Sequence, residues 1–290
     1  MAKLLTLRLT YVQKLTLVFS LFVLFLILTA IISSLIASII PMENTTFVKV
    51  TMMVQDILVF VVPAAITAVF ITATPISFLR LNKKPTWQAI VGVLIIFIVA
   101  TPVLNVIVSW NESVTLPESM KGVEQWARES EQMAKMLTDS LLKDMSIIDF
   151  SVLILLVGVL TGFSEELFFR GLLQRIFLSR PMNAHLAIWL AAFIFSALHF
   201  QFFGFVPRLL LGAFFGYLLM WTGSLWVPII AHMINNSGVV IVQYLTQHKI
   251  IAVDVDTIGT TSDSLIIAIA SAIITICAVY YFFKNIKRVE

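Results

Sequence analysis

The sequence predicts an all-α fold, a polytopic membrane helix bundle of about eight transmembrane helices with one amphipathic extracytoplasmic helix. Of the 290 residues, 60% are hydrophobic and only 12% are charged, and the mean hydropathy is +1.01. About a quarter of the residues in an ordinary soluble domain are charged, so this chain has too few charges to cover a water-soluble surface. Its apolar residues also lie in blocks of about 20, the length that an α-helix needs to cross a bilayer.

Eight apolar stretches predict the individual spans. The first follows Lys3, Arg8 and Lys14, as the core of a signal peptide would. It is much longer than a signal-peptide core of about 7–15 residues, so we expect it to be a retained span. The sixth stretch is the shortest. The stretches are 15–40, 57–79, 87–110, 150–177, 184–205, 209–221, 225–245 and 265–283.

The basic residues predict the orientation of the spans. With the N-terminus in the cytoplasm, an even number of spans returns the C-terminus there, and the inside segments are then rich in lysine and arginine. These inside residues are Lys3, Arg8, Lys14, Arg80, Lys83, Lys84, Arg175, Arg180, Lys284, Lys287 and Arg288, opposed only by Glu290. A net charge of +3 spread in this way indicates cytoplasmic loops of a protein in a lipid bilayer, and no nucleic-acid partner is expected.

A polar insert over residues 111–149 predicts one helix that does not cross the membrane. Its apolar residues recur at spacings of three, four or seven, which is the period of one helix face. They are Val123, Trp126, Met133, Leu137 and Leu141. The favoured interpretation is a helix on the outer membrane surface with its charged face in solvent, and Pro117 near its start fits a helix entry. The alternative is a lid or a substrate-presenting element.

Ionisable residues inside the spans are the main functional signal, because each charge there costs roughly 2.5–3.5 kcal/mol on insertion scales. Asp56 is discounted, since it lies at the predicted edge of a span. The first cluster holds Glu165, Glu166 and Arg170. Glu166 and Arg170 are four residues apart, so they can form an ion pair on one helix face. Glu165 points about 100° away from Glu166 and is left without a partner in its own segment.

Two further polar clusters lie on later spans. His199 follows Phe195 at i+4, and His232 is itself followed at i+4 by Asn236. A lone histidine on an apolar helix is more often structural than catalytic, but two of the four histidines lie well inside predicted spans. With a rise of about 1.5 Å per residue, the three clusters reach overlapping depths, which favours one shared site.

The residue types favour the activation of water. No G-x-S-x-G motif lies near the clusters, no H-E-x-x-H motif occurs, and the one cysteine, Cys277, excludes an intramolecular disulfide. Glu165 would take the proton of a water molecule that His199 orients. His232 and Asn236 would stabilise the resulting oxyanion. Alternatively, Glu165, His199 and His232 would hold a zinc ion with a water in its fourth position. The residues alone leave both possibilities open.

The order of these motifs resembles the CAAX protease and bacteriocin-processing (CPBP) family, and in particular the type II CAAX prenyl endopeptidases. The motifs are Glu165-Glu166-x-x-x-Arg170, Phe195-x-x-x-His199 and His232-x-x-x-Asn236. The run over residues 212–232 is also similar to the one that precedes the last motif in that family. The resemblance covers about residues 150–245.

The resemblance implies an intramembrane endopeptidase in the cell (inner) membrane of a bacterium. Its substrate would be a peptide or protein, with a lipidated CAAX segment as the default. The implied roles are Glu165 as base, His199 as its partner, His232 and Asn236 as the oxyanion pair, and Glu166 and Arg170 as supporting residues. No cofactor is favoured, although a zinc-dependent variant that uses Glu165, His199 and His232 stays an alternative.

The resemblance also divides the chain into three regions. Residues 1–149 hold the N-terminal spans and the surface helix, 150–245 the catalytic helix core, and 246–290 an outer loop with the last span. Two other classes of function stay open. One is a non-catalytic protein that binds a peptide or bacteriocin and confers immunity, and the other is a transporter or proton relay. The paired interrupted helices that mark many transporter sites are absent from the sequence pattern.

Overall fold

The computed structural model describes residues 7–179, 182–252 and 254–286. These residues form ten α-helices and contain no strand, which confirms the predicted all-α class. Among the residues that predict the orientation, five lie outside the described residues: Lys3, Arg180, Lys287, Arg288 and Glu290. The cytoplasmic position of the termini therefore stays a prediction.

The helices are α1 (Tyr11–Ala37), α2 (Thr45–Ile71), α3 (Pro75–Phe78), α4 (Trp87–Ser113), α5 (Lys121–Leu142), α6 (Ile147–Phe177), α7 (Ala184–Ala197), α8 (Phe205–Thr222), α9 (Trp226–Gln247) and α10 (Leu265–Asn285). Helix α2 contains a π-helical turn, Asp56–Val61. Helix α6 contains two, Ile154–Thr161 and Leu167–Leu173. Such turns lengthen the helical repeat locally and are frequent at functional sites.

Six of the described helices are long and apolar enough to cross a bilayer, namely α1, α2, α4, α6, α8 and α10. The protein is therefore an integral membrane protein with several spans. Helix α7 is apolar but has only 14 residues. Helix α9 has 22 residues but carries His232, Asn235 and Asn236, which lower its hydropathy. These two helices would complete the predicted set of eight, and that number stays a prediction.

The second span differs from its predicted bounds of 57–79. Helix α2 begins earlier, where Asn44 caps it by accepting a hydrogen bond from a backbone N–H of the first turn. Asp56 consequently lies near the middle of α2, and it is only 5% exposed. The interpretation of Asp56 as a span-edge residue was wrong, because Lys49 and the threonines beside it mask the apolar pattern at the start of the helix.

Aromatic side chains form the core that holds α6 in place. Phe22 of α1 and Phe60 of α2 pack against Phe168 and Phe169 of α6. The ring centroids of the contacting pairs lie 5.2–6.3 Å apart, in tilted or edge-on arrangements, which are the favoured geometries. Since α6 carries the first polar cluster, the N-terminal spans help to fix its position.

Helix α8 approaches α6 closely at two glycines, Gly212 and Gly216, which are four residues apart and lie on one face. A Cβ atom on Gly212 would lie 3.0 Å from Nη2 of Arg170 and 3.0 Å from the ring of Phe195. The close approach lets both glycine carbonyls accept hydrogen bonds from α6. Arg170 donates to Gly212 at 2.9 Å and Gln174 donates to Gly216 at 3.2 Å. Pairs of small residues at this spacing allow the same approach in many membrane proteins.

The predicted amphipathic helix is α5, which lies inside the polar insert and follows the short 3₁₀ turn Glu118–Met120. Four of its five predicted apolar positions are exposed, namely Val123, Trp126, Met133 and Leu137, whereas Leu141 is buried. The helix itself is confirmed. Its position on the outer membrane surface stays a prediction that these exposed apolar side chains support.

Candidate active site

The structure brings the three predicted polar clusters together around Glu165. This residue lies in α6 and is 7% exposed. Its Oε1 atom lies 3.9 Å from Nε2 of His199, and its Oε2 atom lies 3.7 Å from Nε2 of His232. Both distances exceed a direct hydrogen bond. One carboxylate therefore faces two imidazoles that come from different helices.

His199 lies just beyond the end of α7 and not inside a span. The predicted stretch 184–205 ends early because the chain turns after Ala197, where Phe200 adopts a left-handed backbone conformation with φ of 54°. Nδ1 of His199 donates a hydrogen bond to the carbonyl oxygen of Phe195 at 2.8 Å. This bond fixes the ring and directs Nε2 towards Glu165.

His232 lies in α9 and is buried, and its ring is held on three sides. Nδ1 donates a hydrogen bond to Oε1 of Glu166 at 2.9 Å. Phe215 of α8 stacks on the ring with a centroid distance of 4.9 Å, and Phe195 contacts it edge-on at 6.0 Å. The orientation of His232 is therefore set by α6, α7 and α8 together.

The predicted ion pair between Glu166 and Arg170 is confirmed. Nη1 of Arg170 lies 2.6 Å from Oε1 of Glu166, and both side chains are fully buried. The guanidinium also lies over the Phe195 ring, 4.5 Å from its centroid. The oxygen that pairs with Arg170 is the one that accepts from His232. One carboxylate oxygen therefore links the Arg170 guanidinium to the His232 imidazole, and the supporting role of Glu166 and Arg170 stays a prediction.

The protonation pattern of the two rings follows from their Nδ1 partners. Carbonyl and carboxylate oxygens only accept hydrogen bonds, so Nδ1 carries the hydrogen in both His199 and His232. In the neutral rings, Nε2 is then an acceptor. The Glu165 carboxylate and two imidazole nitrogens therefore converge as three acceptors. A water molecule has two O–H donors, so it can satisfy two of these three acceptors, and waters often bridge polar groups that lie beyond direct hydrogen-bond distance.

Asn236 lies one helical turn beyond His232, but its amide bonds to other groups. Nδ2 donates to the carbonyl oxygen of Val157 in α6, and Oδ1 accepts from Asn235, each at 3.1 Å. These contacts connect α9 to a π turn of α6 and do not join Asn236 to Glu165. The second hydrogen of Nδ2 takes part in neither contact. The oxyanion role of Asn236 stays a prediction.

Asp56 is the polar residue that sequence reasoning missed at this site. Its Oδ2 atom lies 2.7 Å from Oγ1 of Thr161, and Thr161 precedes Glu165 by four residues on α6. The π turn that begins at Asp56 packs against the turn of α6 that carries Glu165. The sequence does contain a signal for it, because Asp56 has no basic residue three or four positions away that could pair with it on the same helix.

The zinc alternative requires Glu165, His199 and His232 as ligands, with bond lengths of about 2.0–2.2 Å. Within the described parts of the chain, no group of three or more His, Cys, Asp or Glu side chains has a geometry that could hold a metal ion. A chelation experiment is the direct test of this alternative.

A comparison with protein-family models matches the centre of the chain. Residues 147–238 match the family described as "Type II CAAX prenyl endopeptidase Rce1-like". This central segment is similar to the type II CAAX prenyl endopeptidases. The match confirms the resemblance that the motifs indicate, and it contains all the predicted site residues: Glu165, Glu166, Arg170, His199, His232 and Asn236.

A curated relative covers a similar fraction of the chain. The uncharacterized protein YpbD of Bacillus subtilis (strain 168) is 35% identical over 88 residues, which are 29% of this chain and 42% of YpbD. The match therefore spans less than half the length of that relative. No solved structure matches the chain.

Proposed function

We propose that the protein is an intramembrane endopeptidase that hydrolyses a peptide bond with a water molecule activated by Glu165. The observation that carries the proposal is the placement of the Glu165 carboxylate, 3.9 Å and 3.7 Å from Nε2 of His199 and His232. Glu165 and His199 would accept the two hydrogens of the water molecule, which directs an oxygen lone pair towards a substrate carbonyl. The similarity of residues 147–238 to a protease family supports the same conclusion.

In the proposed reaction, the oxygen of the water molecule bonds to the peptide carbonyl carbon. At the same time, Glu165 takes one proton of that water. His199 accepts a hydrogen bond from the second hydrogen and holds the water in position. When the C–N bond breaks, the proton on Glu165 passes to the leaving amine nitrogen, which restores the carboxylate. Proton transfer of this kind contributes about 10²–10⁴-fold to the rate.

The tetrahedral oxyanion needs donors, and His232 and Asn236 are the proposed ones. Nε2 of His232 is an acceptor in the neutral ring, so it would donate only after taking up a proton from the surrounding water before the substrate binds. The buried charge of Glu166, which accepts from Nδ1 at 2.9 Å, would stabilise the resulting imidazolium. Asn236 would donate the hydrogen of Nδ2 that Val157 does not use.

The proposed substrate is a peptide or protein segment that reaches the site at the His199 side. The His199 side chain is 29% exposed, compared with 9% for Glu165 and 5% for His232. His199 is therefore the most accessible of the three groups. A lipidated CAAX segment is the default substrate because of the family similarity.

The test is cleavage of a fluorogenic farnesylated CAAX peptide by the purified protein in lipid nanodiscs. We expect Glu165→Gln and His199→Ala to lower kcat by about 10²–10⁴-fold, because each removes a group that handles the water. Glu129→Gln is the matched control, since Glu129 is exposed on α5. Full activity in a folded Glu165→Gln protein would rule out the mechanism.

Two further measurements refine the test. If the farnesylated peptide is not cleaved, comparison of membrane proteomes from cells with the wild type and with Glu165→Gln should reveal an uncut substrate that accumulates only in the variant. Treatment with 1,10-phenanthroline should leave activity unchanged in the metal-free mechanism. Loss of activity that added zinc restores would establish the metal-dependent alternative.

A further inference from the structure

Asp56 is a buried acid in the middle of α2. It is 5% exposed, and within the described ranges no lysine or arginine lies at ion-pair distance from it. An ionised carboxylate in a low-dielectric interior is strongly unfavourable unless it is paired. Among the described residues, the side-chain hydrogen-bond partner of Asp56 is Thr161. The protonation state of Asp56 therefore depends on what Thr161 can supply.

The Thr161 hydroxyl contacts two oxygen atoms but has only one hydrogen to donate. Its Oγ1 atom lies 2.7 Å from Oδ2 of Asp56 and 3.1 Å from the carbonyl oxygen of Leu156. If Asp56 were ionised, both neighbours would be acceptors, and a hydroxyl has a single hydrogen to donate. If Asp56 carries a proton, Oδ2–H donates to Thr161 and Thr161 donates to Leu156. Only the protonated acid satisfies both contacts.

This short chain of hydrogen bonds joins two π turns. Asp56 begins the π turn of α2, and Thr161 ends the first π turn of α6. Residues Gly162–Glu166 then return to α-helical geometry, so Thr161 and Glu165 lie on the same face of α6. A contact at Thr161 therefore fixes the rotation of the helical turn that presents Glu165.

The charge balance of the site favours the same state. Glu166 is neutralised by Arg170 at 2.6 Å, which leaves Glu165 as the carboxylate available for proton transfer. The π turn that begins at Asp56 packs against the turn of α6 that carries Glu165, so the two carboxyl groups belong to neighbouring turns. A second negative charge beside Glu165 would oppose its ionisation, whereas an uncharged acid does not.

We propose that Asp56 is a positioning residue, held as an uncharged carboxylic acid, that fixes the turn carrying Glu165 by donating a hydrogen bond to Thr161. The part that concerns activity rests on the proposed function. The protonation of Asp56 does not depend on it, and it can be measured in the protein without any substrate.

The first experiment is infrared spectroscopy of the purified wild type, Asp56→Asn and Glu165→Gln in lipid nanodiscs. A protonated carboxyl group has its own C=O stretching band, which shifts when hydrogen is exchanged for deuterium. We expect such a band in the wild type, its loss in Asp56→Asn and its retention in Glu165→Gln. A wild type without the band, or a band that persists unchanged in Asp56→Asn, would overturn the proposal.

The second experiment compares cleavage of the farnesylated peptide by substituted proteins. Asp56→Asn keeps a donor towards Thr161, so we expect its kcat to stay within about threefold of the wild type. Asp56→Ala and Thr161→Val remove the contact and should lower kcat by about 10-fold or more, because small displacements of a catalytic group are costly. Thr161→Ser should recover most of the activity. Thr67→Val is the matched control, since Thr67 is a fully buried threonine of α2 whose hydroxyl has no partner among the described residues.

The pH profile of kcat separates positioning from a change in charge. Asp56→Asn replaces one uncharged group by another, so the pH profile should not move. A shifted profile would mean that Asp56 is ionised and would overturn the proposal.

If Asp56→Ala does not fold, the infrared spectra and the pH profile of Asp56→Asn still decide whether Asp56 is protonated. If the wild type cleaves nothing, the proposed function fails, and the infrared result alone judges the state of Asp56.

Discussion

Two glutamate–arginine pairs with the same i,i+4 spacing lie in opposite environments. In α6, Glu166 and Arg170 are 2.6 Å apart and both are fully buried. In α5, Glu124 and Arg128 are 2.7 Å apart, but their side chains are 19% and 47% exposed. The distances are almost equal, so geometry does not distinguish the pairs. Their surroundings do, because solvent screens the pair in α5 and nothing replaces a lost partner in α6.

The neighbours of each pair show what the difference means. The buried pair orients His232 and donates to the carbonyl oxygen of Gly212, so it links α6 to α9 and α8. The exposed pair holds the loop before α5, where Glu124 accepts a hydrogen bond from the backbone N–H of Leu116. One pair is part of the candidate site, and the other organises a surface loop.

The largest expected effect is that of Arg170→Met, which breaks the buried pair. Glu166 would be left as an uncompensated buried charge, so we expect a loss of about 3–5 kcal/mol in the free energy of unfolding. Chemical unfolding in detergent, followed by circular dichroism, measures it. The double variant Arg170→Met with Glu166→Gln should recover part of the loss. If Arg170→Met is as stable as the wild type, the burial of the pair does not make its loss costly.

A smaller effect is expected from Gly212→Ala, which disturbs the buried pair without changing a charge. The new Cβ would lie 3.0 Å from Nη2 of Arg170, and overpacking of this kind costs about 1–3 kcal/mol. Thermal unfolding of the purified protein should show a lower midpoint. Gly238→Ala in α9 is the matched control, because a Cβ there meets nothing within 4 Å and alanine favours the helix. Equal midpoints for the two variants would mean that the approach of α8 is not tight.

The smallest effect is expected from Glu124→Gln in the exposed pair, and it should depend on pH. The hydrogen bond from Arg128 lowers the pKa of Glu124 below its ordinary value of 4.5, and the Leu116 N–H adds to this. The ionised form is therefore favoured by folding, so its contribution is present above pH 4.5 and is lost as the pH falls through the lowered pKa. The unfolding midpoints of wild type and variant should differ slightly near neutral pH and converge in acid. A gap that grows in acid would contradict this assignment.

The sequence was sufficient to predict contacts that depend on local helix geometry. The Glu166–Arg170 pair follows from i,i+4 spacing alone. The convergence of Glu165, His199 and His232 follows from comparing depths along three apolar stretches. Neither prediction depends on the exact rotation of one helix against another. Both therefore tolerate errors of several residues in the predicted bounds.

The remaining contacts depend on features that leave little trace in the sequence. Both the contact of Asp56 with Thr161 and that of Val157 with Asn236 involve residues in π turns, whose geometry departs from a regular helix. The early start of α2 depends on a cap at Asn44. The hydrogen bond from His232 to Glu166 joins residues that are 66 positions apart, and apolar periodicity does not specify it.

The placement of Glu166 and Arg170 on one helix also has a consequence for biosynthesis. Because the two charges lie a single turn apart, α6 can enter the lipid phase with its own counter-ion, before α8 and α9 emerge from the ribosome. The glycine carbonyl and the imidazole that complete the network come later in the chain and meet an ion pair that is already formed. A charge pair divided between two spans would instead have to cross the insertion machinery as two separate unpaired ions.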